Sequence, residues 1–353
     1  MPVLKNLLKT MKEKNASDLH ITANSPISFR IDGSLVVADK KVLSPKETRE
    51  ITYSLLTEDR IKQFERDLEL DFSFEIPEIA RFRTNVFYQR RNVGCAIRLI
   101  PFEIMSFSEC GLPAEVATNL CRKPRGIVLV TGATGSGKST TLAAMIDYIN
   151  INFSRHIITI EDPIEFVHKN KKAIVDQREV FSDTRSFSES LKHVLRQDPN
   201  VILVGEMRDY ETIESALIIA ETGHLVFATL HTSDTSQTIN RIIDVFPSHQ
   251  QQQIRTQLSF VLLGVLSQQL LEKAGKSGRV LATEVLIATP AVRSLIRESK
   301  IHQIYSVIQT SLKEGMKTMN QSLADLQQKG AISLETCMAW SSNPEEVKKL
   351  LAK

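Results

Sequence analysis

The sequence predicts an α/β protein in two parts: a parallel sheet covered by helices on both faces, preceded by a smaller α+β domain. After residue 126, short continuous apolar runs alternate with helical stretches, the pattern of parallel strands buried on both sides. Before residue 100, apolar and polar residues alternate within strands, as in a sheet with one wet face. Between them, 101–113 (PFEIMSFSECGLP) has no clear period and carries two prolines and a glycine. The expected organisation is a domain over 1–100, a linker over 101–113, and a second domain over 114–353 whose C-terminal part is helical.

A chain of 353 residues has room for two or three domains. With 42% hydrophobic and 24% charged residues it is ordinary globular material, which excludes a disordered or fibrous chain. The best apolar run, FVLLGVLSQQLL at 260–271, is broken by Ser267, Gln268 and Gln269, so no membrane span is expected. The first residues lack the apolar stretch and small-residue cleavage site of a signal peptide, which predicts a cytosolic chain. A net charge of +3 gives no argument for nucleic acid. Cys95, Cys110, Cys121 and Cys337 are isolated, which suits reduced apolar residues better than a zinc site or disulfides.

Along the chain, Val3, Leu4, Leu7, Leu8 and Met11 recur at helical spacing, with Lys5, Lys9 and Lys12 off that face. Such a helix serves a domain core or touches a membrane. DLHIT (18–22) reads as a strand. ISFRI and SLVVA flank Asp32-Gly33, a hairpin turn signal. Ser44, Pro45 and Glu47 open a helix. Strands follow at 69–76, 81–89 and 93–100. In the second part the strands are IVLV (127–130), IITI (157–160), VILV (201–204) and LVFATL (225–230). Helices fall at about 140–150, at 187–197 behind a Ser186–Glu189 capping box, and at 211–221. Beyond 232 the chain reads as helical, apart from a strand pair near 261–288.

GATGSGKST follows a strand and opens a helix. Gly132, Ala133, Thr134, Gly135, Ser136, Gly137, Lys138, Ser139 and Thr140 fit the phosphate loop G-x-x-x-x-G-K-[ST]. Its amides and the helix dipole suit phosphate oxygens, Lys138 the β- and γ-phosphates, and the Ser139 hydroxyl Mg²⁺. Glu206 ends the strand 201–204 and is a second Mg²⁺ candidate, acting partly through water. Glu161, Asp162 and Glu165 follow another strand end, and one of them can polarise an attacking water. His231 ends a strand where it can sense a γ-phosphate. His224 and His231 as a metal pair lack a third ligand. Arg81 and Arg83 share a face of one strand and Arg98 lies on the next; they either complete a neighbouring subunit's site or are plain surface. In 289–298, Thr289 can cap a helix with Pro290 at its first position. Val292, Leu295 and Ile296 lie on one face, and Arg293 and Arg297 form an exposed basic stripe with no acid three or four residues away.

Taken together, these segments resemble the secretion ATPase superfamily of type II/IV secretion and, within it, the type IV pilus retraction ATPases, over nearly the whole chain. SDLHIT and FRIDGSL are similar to the family's PAS-like N-terminal domain. GATGSGKST resembles its Walker A, with Ala133 where the family usually has proline. ITIEDPIEFVH, VGEMRD and TGHLVFATLH resemble its Asp box, Walker B and His box. AVRSLIRE (291–298) resembles a C-terminal motif, AIRNLIRE, linked to retraction, with Val292 and Ser294 substituted.

The resemblance implies a RecA-like P-loop ATPase domain behind a PAS-like one, using ATP and Mg²⁺. It implies a homohexameric ring at the cytoplasmic face of the bacterial inner membrane, acting on a PilC-type pilus platform protein, with no nucleic acid partner and no membrane insertion. It also implies Glu165 as catalytic base, Glu206 as the Walker B acid, His224 and His231 as His-box residues, and Arg81, Arg83 and Arg98 as arginines acting in trans. Arg293, Leu295, Ile296, Arg297 and Glu298 would couple the motor to its partner. The tetracysteine zinc motif usual in pilus-extension and type II secretion ATPases is absent. A PilU-type accessory paralogue stays open, as rival or as second partner, and so does the division of labour between Glu165 and Glu206. A nucleotide-gated regulator is a reading of another class, against which the second acid argues. A nucleic-acid translocase has no support from the charge.

Overall fold

The computed structural model describes residues 2–31, 33–77, 79–100, 103–275 and 278–352. The chain forms two compact units, Met1–Glu103 and Ile104–Lys353. In the first, α1 (Pro2–Glu13) precedes β1 (Asp18–Ile21), β2 (Pro26–Ile31), β3 (Ser34–Val42), α2 (Pro45–Tyr53), α3 (Glu58–Asp67), β4 (Glu69–Ile76), β5 (Ala80–Gln89) and β6 (Asn92–Ile100). The six strands make an antiparallel sheet in the order β3-β2-β1-β6-β5-β4. Leu4, Leu8 and Met11 of α1 are buried with Leu19, Phe29, Phe82 and Ile97 of the sheet. The apolar face of α1 is therefore spent on its own core, which corrects the membrane alternative for this helix; the Val3 side chain lies outside the described residues. Of the Asp32-Gly33 turn, Asp32 lies outside them too, while Gly33 has φ +82° between paired Ile31 and Ser34. The Ser44 capping box is formed, side chain to backbone in both directions.

In the second unit α4 (Phe107–Cys110) and α5 (Ala114–Cys121) lead into β7 (Gly126–Thr131) and α6 (Lys138–Asn152). Then come β8 (His156–Glu161), β9 (Ile174–Glu179), α7 (Phe187–Val194), β10 (Val201–Val204), α8 (Tyr210–Glu221), β11 (Leu225–Leu230), α9 (Thr235–Asp244) and α10 (Gln251–Val261). The hairpin β12 (Leu262–Glu272) and β13 (Arg279–Ile287) is followed by α11 (Pro290–Arg297), α12 (Ile304–Thr310), α13 (Met319–Gln328), α14 (Leu334–Trp340) and α15 (Pro344–Leu351). The sheet order is β13-β12-β7-β11-β10-β8-β9, parallel except for β13. Each central strand feeds two cores. Val128, Val130, Leu203 and Phe227 pack under α5 and α6; Ile127, Leu129, Ile202 and Val226 pack under α8, α9 and α10. That explains the continuous apolar runs.

The stretch read as a linker includes α4, and Phe107 and Leu112 are buried in the second unit's core. Pro101 and Phe102 lie outside the described residues. Among the described residues no helix is long and apolar enough to cross a membrane.

Candidate nucleotide site

The loop 132–137 leaves the C-terminal end of β7 and returns as α6. Gly132 has φ +142°, and a Cβ there would stand 2.5 Å from both the Gln268 carbonyl and Ser136 Oγ, so only glycine fits. Gly137, at φ +91°, caps α6 without offering a side chain. The first-turn amides of α6 are thus left for an anion, with the helix dipole behind them. Ser136 is 6% exposed, yet its hydroxyl has no hydrogen-bond partner among the described residues. A buried hydroxyl in that state is costly until a ligand supplies the partner. Lys138 Nζ donates to the carbonyls of Gly132 (2.8 Å) and Ala133 (3.0 Å). Burial lowers its pKa, against the pull of Glu206 and Glu165, the two carboxylates it senses. Ala133, Thr134 and Gly135 are exposed on the rim, and Ser139 and Thr140 continue the first turn. Donor set, bare amides and orphaned hydroxyl all fit a polyphosphate.

The strand order brings the C-terminal ends of β7, β11, β10 and β8 side by side at this edge. Gly205, just after β10, runs so close to β8 that a Cβ would lie 3.1 Å from the Ile160 carbonyl. Its own carbonyl accepts from Thr229 Oγ1 at 2.5 Å. Glu206 is thereby fixed in the row. Its Oε1 accepts from Arg208 Nε at 2.5 Å and meets His231 Nε2 at 3.0 Å. Burial pushes the Glu206 carboxyl up, but the Arg208 hydrogen bond and the His231 charge outweigh it and hold the group below its ordinary value. The Glu165 carboxylate, on the exposed loop after β8, has neither hydrogen bond nor ion pair among the described residues.

Glu161 turns its carboxyl inward, accepting from Thr159 Oγ1 (2.6 Å) and Gln177 Nε2 (3.1 Å). Burial pushes it up to about 7. Gln177 sits on β9, a strand absent from the sequence expectation because IVDQRE has two apolar residues followed by four polar ones, neither an apolar run nor an alternation. As the edge strand of the sheet it is not bound to be apolar on both faces, and its composition carries no strand signal.

Other expected residues lie elsewhere. His224 precedes β11, at the opposite end of the sheet from the P-loop. Its Nδ1 lies 3.2 Å from the Ile219 carbonyl and it lines an open cavity with Arg155, Asp198 and Asn200. Six residues of strand, roughly 20 Å, part it from His231, too far for the two to share a metal or meet at one P-loop.

Arg81, Arg83 and Arg98 belong to the first unit. Arg83 and Arg98 are direct cross-strand partners, and Arg98 pairs with Asp18, which pairs with Arg30. The result is a row of three arginines around one carboxylate, with Arg98 Nε donating to Asp18 at 2.8 Å. Arg30 was not anticipated.

On α11, Thr289 caps and Pro290 opens as expected, and Val292 and Ile296 are buried with Leu295 beside them. The basic stripe is corrected. Arg293 donates to the carbonyls of Ser259, Phe260 (2.7 Å), Leu262 (2.8 Å) and Ala288 (3.0 Å). Arg297 reaches Ser259 Oγ at 3.4 Å and stands over the Phe260 ring. Arg293 answers carbonyls where α10 ends and β12 begins and one after β13, and Arg297 answers a hydroxyl and a ring of α10; no spacing within α11 reveals that. Glu298 is exposed, held by Ser294 and Lys300.

A glycine-rich loop at the switch of a doubly covered parallel sheet, with carboxylates from neighbouring strand ends facing its lysine, defines a P-loop nucleotide-binding ATPase. Residues 1–339 match the family described as Type II/IV secretion system protein, and the chain belongs to that family. It is 50% identical over 339 residues to the type IV pilus retractation ATPase PilT of Pseudomonas aeruginosa, covering 96% of this chain and 98% of that protein. It is 41% identical over 345 residues to the type IV pilus ATPase PilU of the same organism, covering 98% and 90%. The crystal structure of the pilus retraction motor PilT with bound ADP matches with a TM-score of 0.90 at 51% identity, over 97% of this chain and 99% of that one.

Proposed function

We propose that this protein is a motor ATPase that hydrolyses ATP to retract type IV pili and so drives twitching. The observation that carries the reading is the 50% identity to a pilus-retraction ATPase across nearly the full length of both chains, against 41% to the PilU-type ATPase. The motor works as a homohexamer at the cytoplasmic face of the inner membrane, on the pilus platform protein, with a PilU-type paralogue as a second partner.

In this reading the loop amides, Ser136 and Lys138 hold the phosphates. Lys138 has only loop carbonyls to leave, so the exchange of partners needs no broken salt bridge. Ser139 and Glu206 are the residues that would hold Mg²⁺, which would supply charge neutralisation at the transferring phosphoryl group. Glu206 is already engaged by Arg208 and His231 and is kept ionised, which suits the metal side of the site. Glu165 has open oxygens and is the general base. His231, bonded to Glu206, reports γ-phosphate occupancy. Arg81, Arg83 and Arg98 act on the neighbouring subunit's nucleotide. Like charges set directly across a sheet oppose folding, and the Arg83–Arg98 pair gains an offset once an anion arrives.

The test is deletion of the gene, with surface pili counted and twitching scored. Excess pili with no movement is expected; loss of pili would make the protein an assembly motor instead.

A further inference from the structure

The loop that carries Glu165 is built on a polar frame. Thr159 of β8 and Gln177 of β9 are register partners on one sheet face, and Glu161 lies two residues beyond Thr159 on that same face. Gln177 uses both ends of its amide. Its Nε2 donates to Glu161 Oε1 at 3.1 Å and to the Phe166 carbonyl at 2.8 Å. Its Oε1 accepts the His168 amide at 2.7 Å. On the other side of Glu165, the Ile164 amide donates to Glu179 Oε2, also on β9, at 3.1 Å. The backbone after Glu165 is thus tied to Gln177 and the backbone before it to Glu179, both on β9, while the carboxylate itself has no partner among the described residues.

Each bond of this frame depends on the others. The amide of Gln177 can satisfy Phe166 and His168 together only when its nitrogen faces the Phe166 carbonyl, and that orientation also aims the nitrogen at Glu161. The Thr159 hydroxyl, 2.6 Å from the same Glu161 oxygen, fixes that carboxyl from the strand side. A loop without helix or sheet bonds of its own is thereby held at both flanks of one residue.

We propose that Gln177 is a positioning residue for hydrolysis: it sets the height and direction of the 161–168 loop so that the Glu165 carboxylate meets the attacking water. The proposal rests on Glu165 being the base. It assigns Gln177 no contact with nucleotide, so it separates turnover from binding.

Full-length Gln177→Met and Gln177→Glu are compared with the unaltered protein for steady-state ATP turnover, and each is also combined with Glu165→Gln. Methionine keeps the length and removes every polar atom; glutamate keeps an acceptor for the His168 amide and removes the donors. Binding of an unhydrolysed Mg·ATP analogue is measured on all of them, so that either folded variant is enough for the comparison. Expected is a kcat lower by about tenfold to hundredfold, the scale of a misplaced catalytic group. KM and analogue affinity stay within about twofold, and little further loss appears in the Glu165→Gln background. An unchanged kcat, a fall in affinity matching the fall in turnover, or a loss that multiplies fully with Glu165→Gln overturns the proposal. If Glu165→Gln alone turns over at the original rate, the base assignment fails and the proposal with it. If Glu165→Gln is slow and neither Gln177 variant is, the positioning role alone fails.

Discussion

Two acids at adjacent strand ends differ in one respect that decides their chemistry: Glu206 is occupied and Glu165 is open. A base must accept the proton of water, and an amide cannot. Glu165→Gln is therefore expected to retain ATP binding and to slow hydrolysis by about 10²–10⁴-fold; if Glu206→Gln were the slower variant with Glu165→Gln near normal, the two roles are exchanged. Glu161 makes a pH prediction. Its folded pKa, about 7, lies above that of an exposed carboxyl, so the folded chain holds a proton the unfolded chain has released. Its contribution is fully present below about pH 4.5 and is lost as the pH rises through 7. Glu161→Gln removes that loss. Its melting temperature relative to the unaltered protein should climb between pH 5 and pH 8; a difference independent of pH would show that Glu161 is ionised throughout. At this scale the P-loop was fully legible, because glycine and lysine spacing encode it locally. Gln177 was not, because its partners are Phe166, His168 and Glu161, joined to it only by a parallel strand pairing.

Elements were legible where their pattern is dictated by two packed faces. The strands β7, β8, β10 and β11 and the helices α6 and α8 read directly as apolar runs and as the stretches between them. Helix α3 was missed because, of its ten residues, Phe64 alone is buried, which leaves no period to see. The Ser186 cap of α7 forms, but Glu189 leaves the N-terminus for His193 (3.2 Å), so half of the expected box is absent. Helix α11 was read correctly as an element and wrongly as a surface. Arg293 closes the C-terminal end of α10, where carbonyls and the negative end of the dipole converge. Arg293→Ala strips a donor from four carbonyls at once, and each buried carbonyl left unpaired costs about 1–3 kcal/mol. Thermal unfolding should show Arg293→Ala clearly destabilised and Arg297→Ala only slightly, since the latter loses one long hydrogen bond and a ring contact. Equal stability of Arg293→Ala and the parent would return this arginine to the surface.

On the scale of the whole molecule, the chain separates its chemistry between two units. The P-loop and both acids lie in Ile104–Lys353, and the arginine row lies in Met1–Glu103. In the proposed ring each subunit would present different surfaces to its two neighbours and join unlike faces at every interface. A site completed in trans then needs a sound P-loop on one side and a sound arginine on the other. Arg98 is suited to this: Asp18 holds its Nε, which fixes the guanidinium and leaves the terminal nitrogens for an incoming phosphate. Rings made only of Arg98→Ala subunits, or only of Lys138→Ala subunits, should both be inactive. Mixed one to one and reassembled, about one interface in four pairs a sound loop with a sound arginine, so up to that share of the parental ATPase activity should return. The yield should peak at equal proportions and fall toward either pure variant. Mass measurement of intact rings confirms the mixing. No recovery at any ratio, with mixed rings in hand, would mean that Arg98 acts on its own subunit's nucleotide or on none.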